Sequence, residues 1–200
     1  MEQISDYKNL HEGKNIFILA SGPSLPDLDL SSLKNKIVMG LNRSFLVYPM
    51  SYYQCVFDHR LFDLYPDAFK SVRQLFTLED RPWGLPLRLL GGEGFSFDLE
   101  KGIYSGYTIS YFALQVAMYM GFKNIFFLGL DLKHNGFNTH FFGQDPKTDD
   151  HEQTEFPRMA KMLNHGAKVL TSTDIKVYNC SPVSTLECFP KTSYEEALAY

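Results

Sequence analysis

Lys14-Asn15-Ile16-Phe17-Ile18-Leu19-Ala20-Ser21-Gly22-Pro23-Ser24 is the stretch on which the reading of this chain turns. Ile16 to Ala20 are apolar without alternation, so a strand here has no face for water. Strands buried on both faces belong to parallel sheets covered by helices. The turn-forming Ser21-Gly22-Pro23-Ser24 ends the run, and Leu25–Leu33 reads as a short helix behind it.

The same reading extends in both directions. Lys36–Gly40, Tyr53–Phe57 and Arg73–Thr77 are further strand candidates. Ile125-Phe126-Phe127-Leu128-Gly129-Leu130 is a second apolar run, ending in the carboxylate of Asp131, and Ile175–Asn179 follows late in the chain. Between them lie helical segments at Ser105–Met120, closed by Gly121, and at Glu152–His165. Ser193 with Glu195-Glu196 marks the start of a last helix. Glu79–Lys101, with Pro82, Pro86 and several glycines, reads as a loop or mobile insertion, as does the polar stretch Lys133–Asp150. Buried strands alternating with helices predict one α/β domain over residues 1–200. It is a doubly wound, Rossmann-like domain with a mostly parallel sheet and both loops lying over the strand ends.

Composition agrees. At 200 residues, 44% hydrophobic and 21% charged, the chain can bury a core without staples. A net charge of −4 gives no basic field for nucleic acid or an anionic membrane. The cysteines (Cys55, Cys180, Cys188) are odd in number and irregularly spaced, which favours a reducing compartment and inert packing roles. No apolar run is long enough to span a bilayer, and the polar Met1–Asn9 does not read as a signal peptide. The expectation is a cytoplasmic protein.

In open α/β sheets ligands bind at the carboxyl ends of strands, where the strand order reverses. Ser21-Gly22-Pro23-Ser24, Asn42 and Asp131 all follow strands and so gather there. Gly22 admits close backbone approach, and Ser21, Ser24 and the N–H groups of the next helix suit an anion, although such a turn also serves simple chain reversal. The loop is neither G-x-G-x-x-G nor a Walker loop. Ser105-Gly106 reads as a second helix start, either a plain cap or an anion site. Asp131, at the end of an apolar strand, must be paired, capped or facing a cleft. His134, His140, His151 and His165 match no zinc spacing, so no metal site is expected. His140, beside Phe141 and Phe142, is the histidine best placed for acid–base work, with Asp58-His59 a weaker candidate.

Taken in order, these motifs resemble the sialyltransferase-like superfamily of bacterial glycosyltransferases, which includes lipooligosaccharide sialyltransferases and the motility accessory factor domain. Phe17–Leu25 resembles the family's opening strand and nucleotide loop. Asn42 is similar to its donor-contacting asparagine, and Ser105-Gly106 to the pair beside the cytidine phosphate. Phe126–Asp131 resembles its Gly-x-Asp strand, and Cys180–Ser184 with Phe189-Pro190-Lys191 its terminal strand and turn. The resemblance implies a CMP-linked, sialic-acid-like donor, a glycan or small-molecule acceptor and inverting transfer without cofactor or metal. It also allows a lipid-linked acceptor, which would bring the protein to the inner membrane surface, and leaves a homo-oligomer open. Nucleotide contacts would fall to Ser21, Gly22, Pro23, Ser24, Asn42, Ser105, Gly106 and Asp131, acceptor contacts to Asp58, His59 and Gln144.

The chain departs from the family at the base. Where the pattern has His-Tyr-x-Gly-His, this sequence has His140-Phe141-Phe142-Gly143-Gln144. Glutamine takes no proton, so His140, or Asp145 on the same loop, becomes the expected base. Two further readings stand beside this one. The chain also resembles the archaeal-type 6-hydroxymethylpterin pyrophosphokinase, which implies ATP and Mg²⁺ held by Asp131 and Asp58. A nucleotide- or glycan-binding module without chemistry is the third.

Overall fold

The computed structural model describes residues 2–133, 139–143 and 149–200. In chain order the strands are β1 (Asn15–Leu19), β2 (Val38–Leu41), β3 (Tyr53–Cys55), β4 (Gln74–Leu78), β5 (Leu85–Leu87), β6 (Leu89–Gly91), β7 (Ile103–Tyr104), β8 (Asn124–Leu128) and β9 (Lys176–Asn179). The α-helices are α1 (Arg60–Leu64), α2 (Pro66–Ser71), α3 (Ile109–Tyr119), α4 (Asp149–Leu170) and α5 (Tyr194–Leu198). Seven strands form one parallel sheet in the order β5-β4-β3-β2-β1-β8-β9, and β6 pairs with β7 apart from it. β1 lies between β2 and β8, with Phe17 opposite both Val38 and Phe126. The order reverses at β1 and β8, so the fold has its switch point there.

The unbroken apolar run is explained by cover on both faces. Ile16 and Ile18 join Ile125 and Phe127 in a core shared with α3 and with Met162 and Leu163 of α4. Phe17 and Leu19 join Phe126 and Leu128 in a second core with Leu25, Leu33, Tyr194 and Ala197. α3 is buried along its whole length, which accounts for its near-continuous apolar sequence. Its polar Gln115 is satisfied internally. The side-chain Oε1 accepts from Ser96 N–H at 3.0 Å, and Nε2 donates to Tyr104 O at 2.8 Å, pinning the β6–β7 segment to the helix.

Four local expectations are corrected. Leu25–Leu33 is two short 3-10 turns, Leu25–Asp27 and Leu30–Leu33, rather than a helix. Between them the Asp29 side chain accepts from Ser31 N–H at 3.2 Å and interrupts the helical ladder. Glu79–Lys101 is not a loop over the site: Leu85 and Leu87 are buried as β5, an edge strand of the main sheet, with Pro86 exposed between them. α3 begins after Thr108 rather than at Ser105, because Gly106 and Tyr107 both have positive φ (56° and 60°) and cannot enter a right-handed helix. α4 runs further in both directions than Glu152–His165.

The sheet edges are blunted. Leu87 O accepts from Glu79 N–H at 3.1 Å, turning β5's outward-facing middle position over to Pro86, which has no N–H. At β9, Asn179 forms an isolated bridge to Lys191, with its N–H donating to Pro190 O at 3.0 Å. The three cysteines are free. No described helix is long and apolar enough to cross a membrane.

Candidate functional site

A cleft of about 490 Å³ opens at the carboxyl ends of β1, β2, β3 and β8, over the switch point. Ser21, Gly22, Asn42, Asp58, Asp131 and His140 all line it. Arg43, Arg60, Tyr107, Thr108, Ser110, Thr139 and Phe142 line it as well.

The serine loop is built inward more than outward. Gly22 N–H donates to Gly129 O at 2.8 Å. Ser24 N–H donates to Asp131 Oδ2 at 2.8 Å, and Ser24 Oγ donates to Asp131 Oδ1 at 2.6 Å. Pro23 has no N–H. Two of the amides expected to cradle an anion are therefore committed to the fold, and the absence of a following α-helix removes the rest of that cradle. Pro23 and Ser24 do not line the cleft. Gly22 is required by packing: a Cβ there would stand 2.4 Å from Asp131 Cγ.

Asp131 is buried, with 2% of its surface exposed, so its charge must be answered within the protein. Besides Ser24, the Ser181 hydroxyl donates to Oδ1. Ser181 is held in turn by Asn179 Oδ1, which accepts its N–H at 3.0 Å. Lys191 Nζ donates to Ser181 O at 3.2 Å, and burial lowers this ammonium's pKa while the Asp131 charge opposes that fall. Asp131 thus clamps the ends of β1 and β9 together beneath the cleft.

Asn42 follows β2 in the left-handed region, at φ 48°. Its N–H donates to Cys55 O, and its carbonyl accepts from Gln54 Nε2 at 2.9 Å, which fixes the backbone. Its side-chain Oδ1 is buried and has no hydrogen-bond partner among the described residues, and the same holds for Thr139 Oγ1. Both residues face the cleft. A buried orphan acceptor costs about 1–3 kcal/mol, which a ligand donor would recover.

At the end of β3, Arg60 forks onto Asp58: Nε donates to Oδ1 at 3.0 Å and Nη2 to Oδ2 at 2.7 Å. Burial raises the Asp58 carboxyl, but these hydrogen bonds and the Arg60 charge outweigh it and hold the group below its ordinary value. His59 is exposed and lies outside the cleft lining. The carboxylates assigned to Mg²⁺ under the pyrophosphokinase reading are thus already engaged, Asp131 by two serines and Asp58 by Arg60.

His140 stacks on Phe142 at 4.7 Å and 16°, and Arg43 lies 4.5 Å from the same ring. The turn is tied to the serine loop by Phe141 N–H, which donates to Ser21 O at 3.0 Å. Gln144 and Asp145 lie outside the described residues. Ser105 and Gly106 do not line the cleft, since their N–H groups donate to Gly91 O and Gly92 O. The following residues take that place, with Thr108 capping α3 by accepting Ser110 N–H at 3.3 Å. The positive end of the α3 dipole is therefore presented to the cleft.

No family model matches the chain, and no curated protein matches it by sequence. The likeness lies in the fold. The chain is similar to the sialyltransferase CstII from Campylobacter jejuni. The structure of that enzyme in complex with a substrate analogue, cytidine-5'-monophosphate, matches with a TM-score of 0.54 at 16% identity, over 91% of this chain and 86% of that one. Its complex with CMP-3FNeuAc gives 0.54 at 14% identity, over 90% and 86%. A single-site variant of alpha-2,3/8-sialyltransferase CstII gives 0.50 at 15% identity, over 90% and 87%. At such identities the likeness is one of fold, the α/β architecture over which the cleft opens.

Sequence reasoning missed Arg43, Arg60, Thr108, Ser110 and Thr139. Arg43 and Arg60 each follow a singled-out residue within two positions, and that adjacency was the available signal. Thr108 was hidden by the assumption that Ser105 starts the helix.

Proposed function

We propose that the chain transfers a sugar from a CMP-linked donor to a hydroxyl of a glycan or small acceptor. The observation carrying this reading is the switch-point cleft with an unsatisfied buried acceptor at Asn42 Oδ1, in a fold similar to that of an enzyme solved with CMP and a CMP-sugar analogue. Asn42 suits an N–H or O–H of the nucleoside. Thr108, Ser110 and the amino end of α3 suit the phosphate, a role that passes to them from Ser105, Gly106 and Ser24. Asp131 supports the reading by fixing the loop that Ser21 and Gly22 present.

In the proposed step the acceptor oxygen attacks the anomeric carbon while His140 takes its proton. The new carbon–oxygen bond forms as the bond from the anomeric carbon to the phosphate oxygen breaks, and its electron pair leaves with CMP. The step balances without a cofactor. Its acid–base part typically supplies 10²–10⁴-fold in rate.

A thermal-shift series with CMP, CDP, UDP, GDP and ATP, each with and without Mg²⁺, tests the reading. A ligand at about 100 times its dissociation constant adds about 2.7 kcal/mol of stability. Stabilisation by CMP above the other nucleotides is the expected result. ATP acting only with Mg²⁺ would overturn it in favour of phosphoryl transfer, and CMP binding without turnover of CMP-sugars would leave a binding module.

A further inference from the structure

β3 reads Tyr53-Gln54-Cys55, and all three residues are buried, Gln54 with none of its surface exposed. Tyr53 and Cys55 enter the core shared with α3, so by the alternation of a strand Gln54 points to the opposite face of the sheet. There its amide lies over Gly40, its registered neighbour on β2, where a Cβ would run into Gln54 Oε1. A buried amide is unfavourable unless both of its ends are met. One end is met: Nε2 donates to Asn42 O at 2.9 Å. Oε1 has no hydrogen-bond partner among the described residues. A methionine would fill the same space without an orphaned oxygen. What the glutamine supplies in exchange is a donor to the Asn42 carbonyl.

That carbonyl belongs to the peptide between Asn42 and Arg43, both of which line the cleft. Asn42 stands at φ 48°, and its N–H is fixed on Cys55 O at 3.0 Å. Just before it, Leu41 N–H donates to Ser44 Oγ at 2.8 Å. The Gln54 bond is a third hold on this turn, and it fixes the rotation of the peptide that follows Asn42. Rotation there would let Asn42 Oδ1, the buried acceptor facing the cleft, turn relative to Arg43, which packs 4.5 Å from the Phe142 ring.

We propose that Gln54 is a positioning residue for nucleotide recognition. It lies outside the cleft lining and aims Asn42 into the cleft through the Asn42 carbonyl. The consequence for the nucleotide rests on the donor reading of Asn42, whereas the hold itself is a property of the free protein.

Gln54→Met keeps the side-chain volume and removes the donor. In calorimetric titration CMP should bind this variant about tenfold more weakly than the parent, the worth of one buried hydrogen bond. In an Asn42→Gly background the same substitution should cost less than about twofold, because the group it positions is gone. Gly40→Ala crowds the amide from β2 without removing it and should reproduce both results, so it carries the test if Gln54→Met does not fold. Without nucleotide, hydrogen exchange at the Asn42 backbone amide should be about tenfold faster in the variant than in the parent. Parent-like CMP affinity would overturn the proposal. So would an equal loss with and without the Asn42 side chain, which is the mark of a merely structural role. If the parent itself does not bind CMP, the donor reading falls, and the exchange rates still decide whether Gln54 holds the turn. An unchanged rate would overturn that hold.

Discussion

Asp131 holds Ser24 twice, taking its hydroxyl on Oδ1 at 2.6 Å and its backbone N–H on Oδ2 at 2.8 Å. The two residues are 107 positions apart, and the pair joins the ends of β1 and β8 at the point where the strand order reverses. The buried carboxylate is thereby fully used, and the loop above it acquires one conformation.

Replacing this carboxylate should cost stability before it costs chemistry. Asp131→Asn can still accept the Ser24 N–H on its amide oxygen, but its NH2 then faces the Ser24 and Ser181 hydroxyls and deprives their protons of the carboxylate acceptor, at about 1–3 kcal/mol. Ser24→Ala, which leaves Ser181 on Oδ1, should cost about 1 kcal/mol. Urea denaturation measures both. An Asp131→Asn protein within about 0.5 kcal/mol of the parent would contradict the clamp.

Asn42 calls for a variant that keeps its backbone. Asn42→Gly tolerates the φ of 48° and removes the side-chain amide, the buried Oδ1 acceptor included, without disturbing the backbone. CMP affinity should fall by about tenfold, the worth of one buried hydrogen bond, with little change in the melting temperature of the free protein. Calorimetric titration gives the first number and a thermal melt the second. Unaltered CMP affinity would remove Asn42 from the donor site.

His140→Ala should lower kcat by about 10²-fold or more and leave the CMP-induced thermal shift nearly unchanged. Because Phe142 stacks on His140, His140→Phe provides a control that retains the ring contact and lacks the proton acceptor. Both variants should be equally slow. Full turnover by either would pass the role to another group.

The Asp58–Arg60 pair predicts an acid limb in stability. The Asp58 carboxyl lies below its ordinary value of 3.8, so the folded state favours its charged form. Its contribution is complete above the unfolded value and is lost as pH falls through the lower, folded one. The stability gap between the parent and Asp58→Asn should hold steady from neutral pH to about pH 5 and close below about pH 4. A gap that widened on acidification would contradict the assignment.

The framework was legible because burial on both faces writes itself into composition: Ile16–Leu19 and Ile125–Leu128 leave no polar face to misread. Ser193 and Glu196 were legible for a similar reason, since a reciprocal cap needs those residue types at that spacing, and the structure forms it. Elements shaped by competition were not legible. Gly106 could be read as a helix start, but Tyr107 at positive φ could not be foreseen, and it displaces the cap to Thr108. Leu85–Leu87 was masked by Pro86, which is tolerated because the strand is an edge. At the site, the strand-end rule brought Ser21, Gly22, Asn42, Asp58, Asp131 and His140 to one cleft. It could not say which way each group faces. Ser24 turned out to point beneath the cleft and His59 away from it, because those directions depend on partners far off in sequence.

The two blunted edges of the sheet limit how this chain can meet others. Strand addition needs a run of outward N–H and C=O groups, and neither border supplies one: Pro86 withholds its donor at β5, and Lys191 with Pro190 already occupies Asn179 at β9. Growth of the sheet from molecule to molecule, whether as an ordered dimer or an aggregate, is hindered at both ends. Side chains meeting across surfaces are the contacts that these two borders leave least hindered.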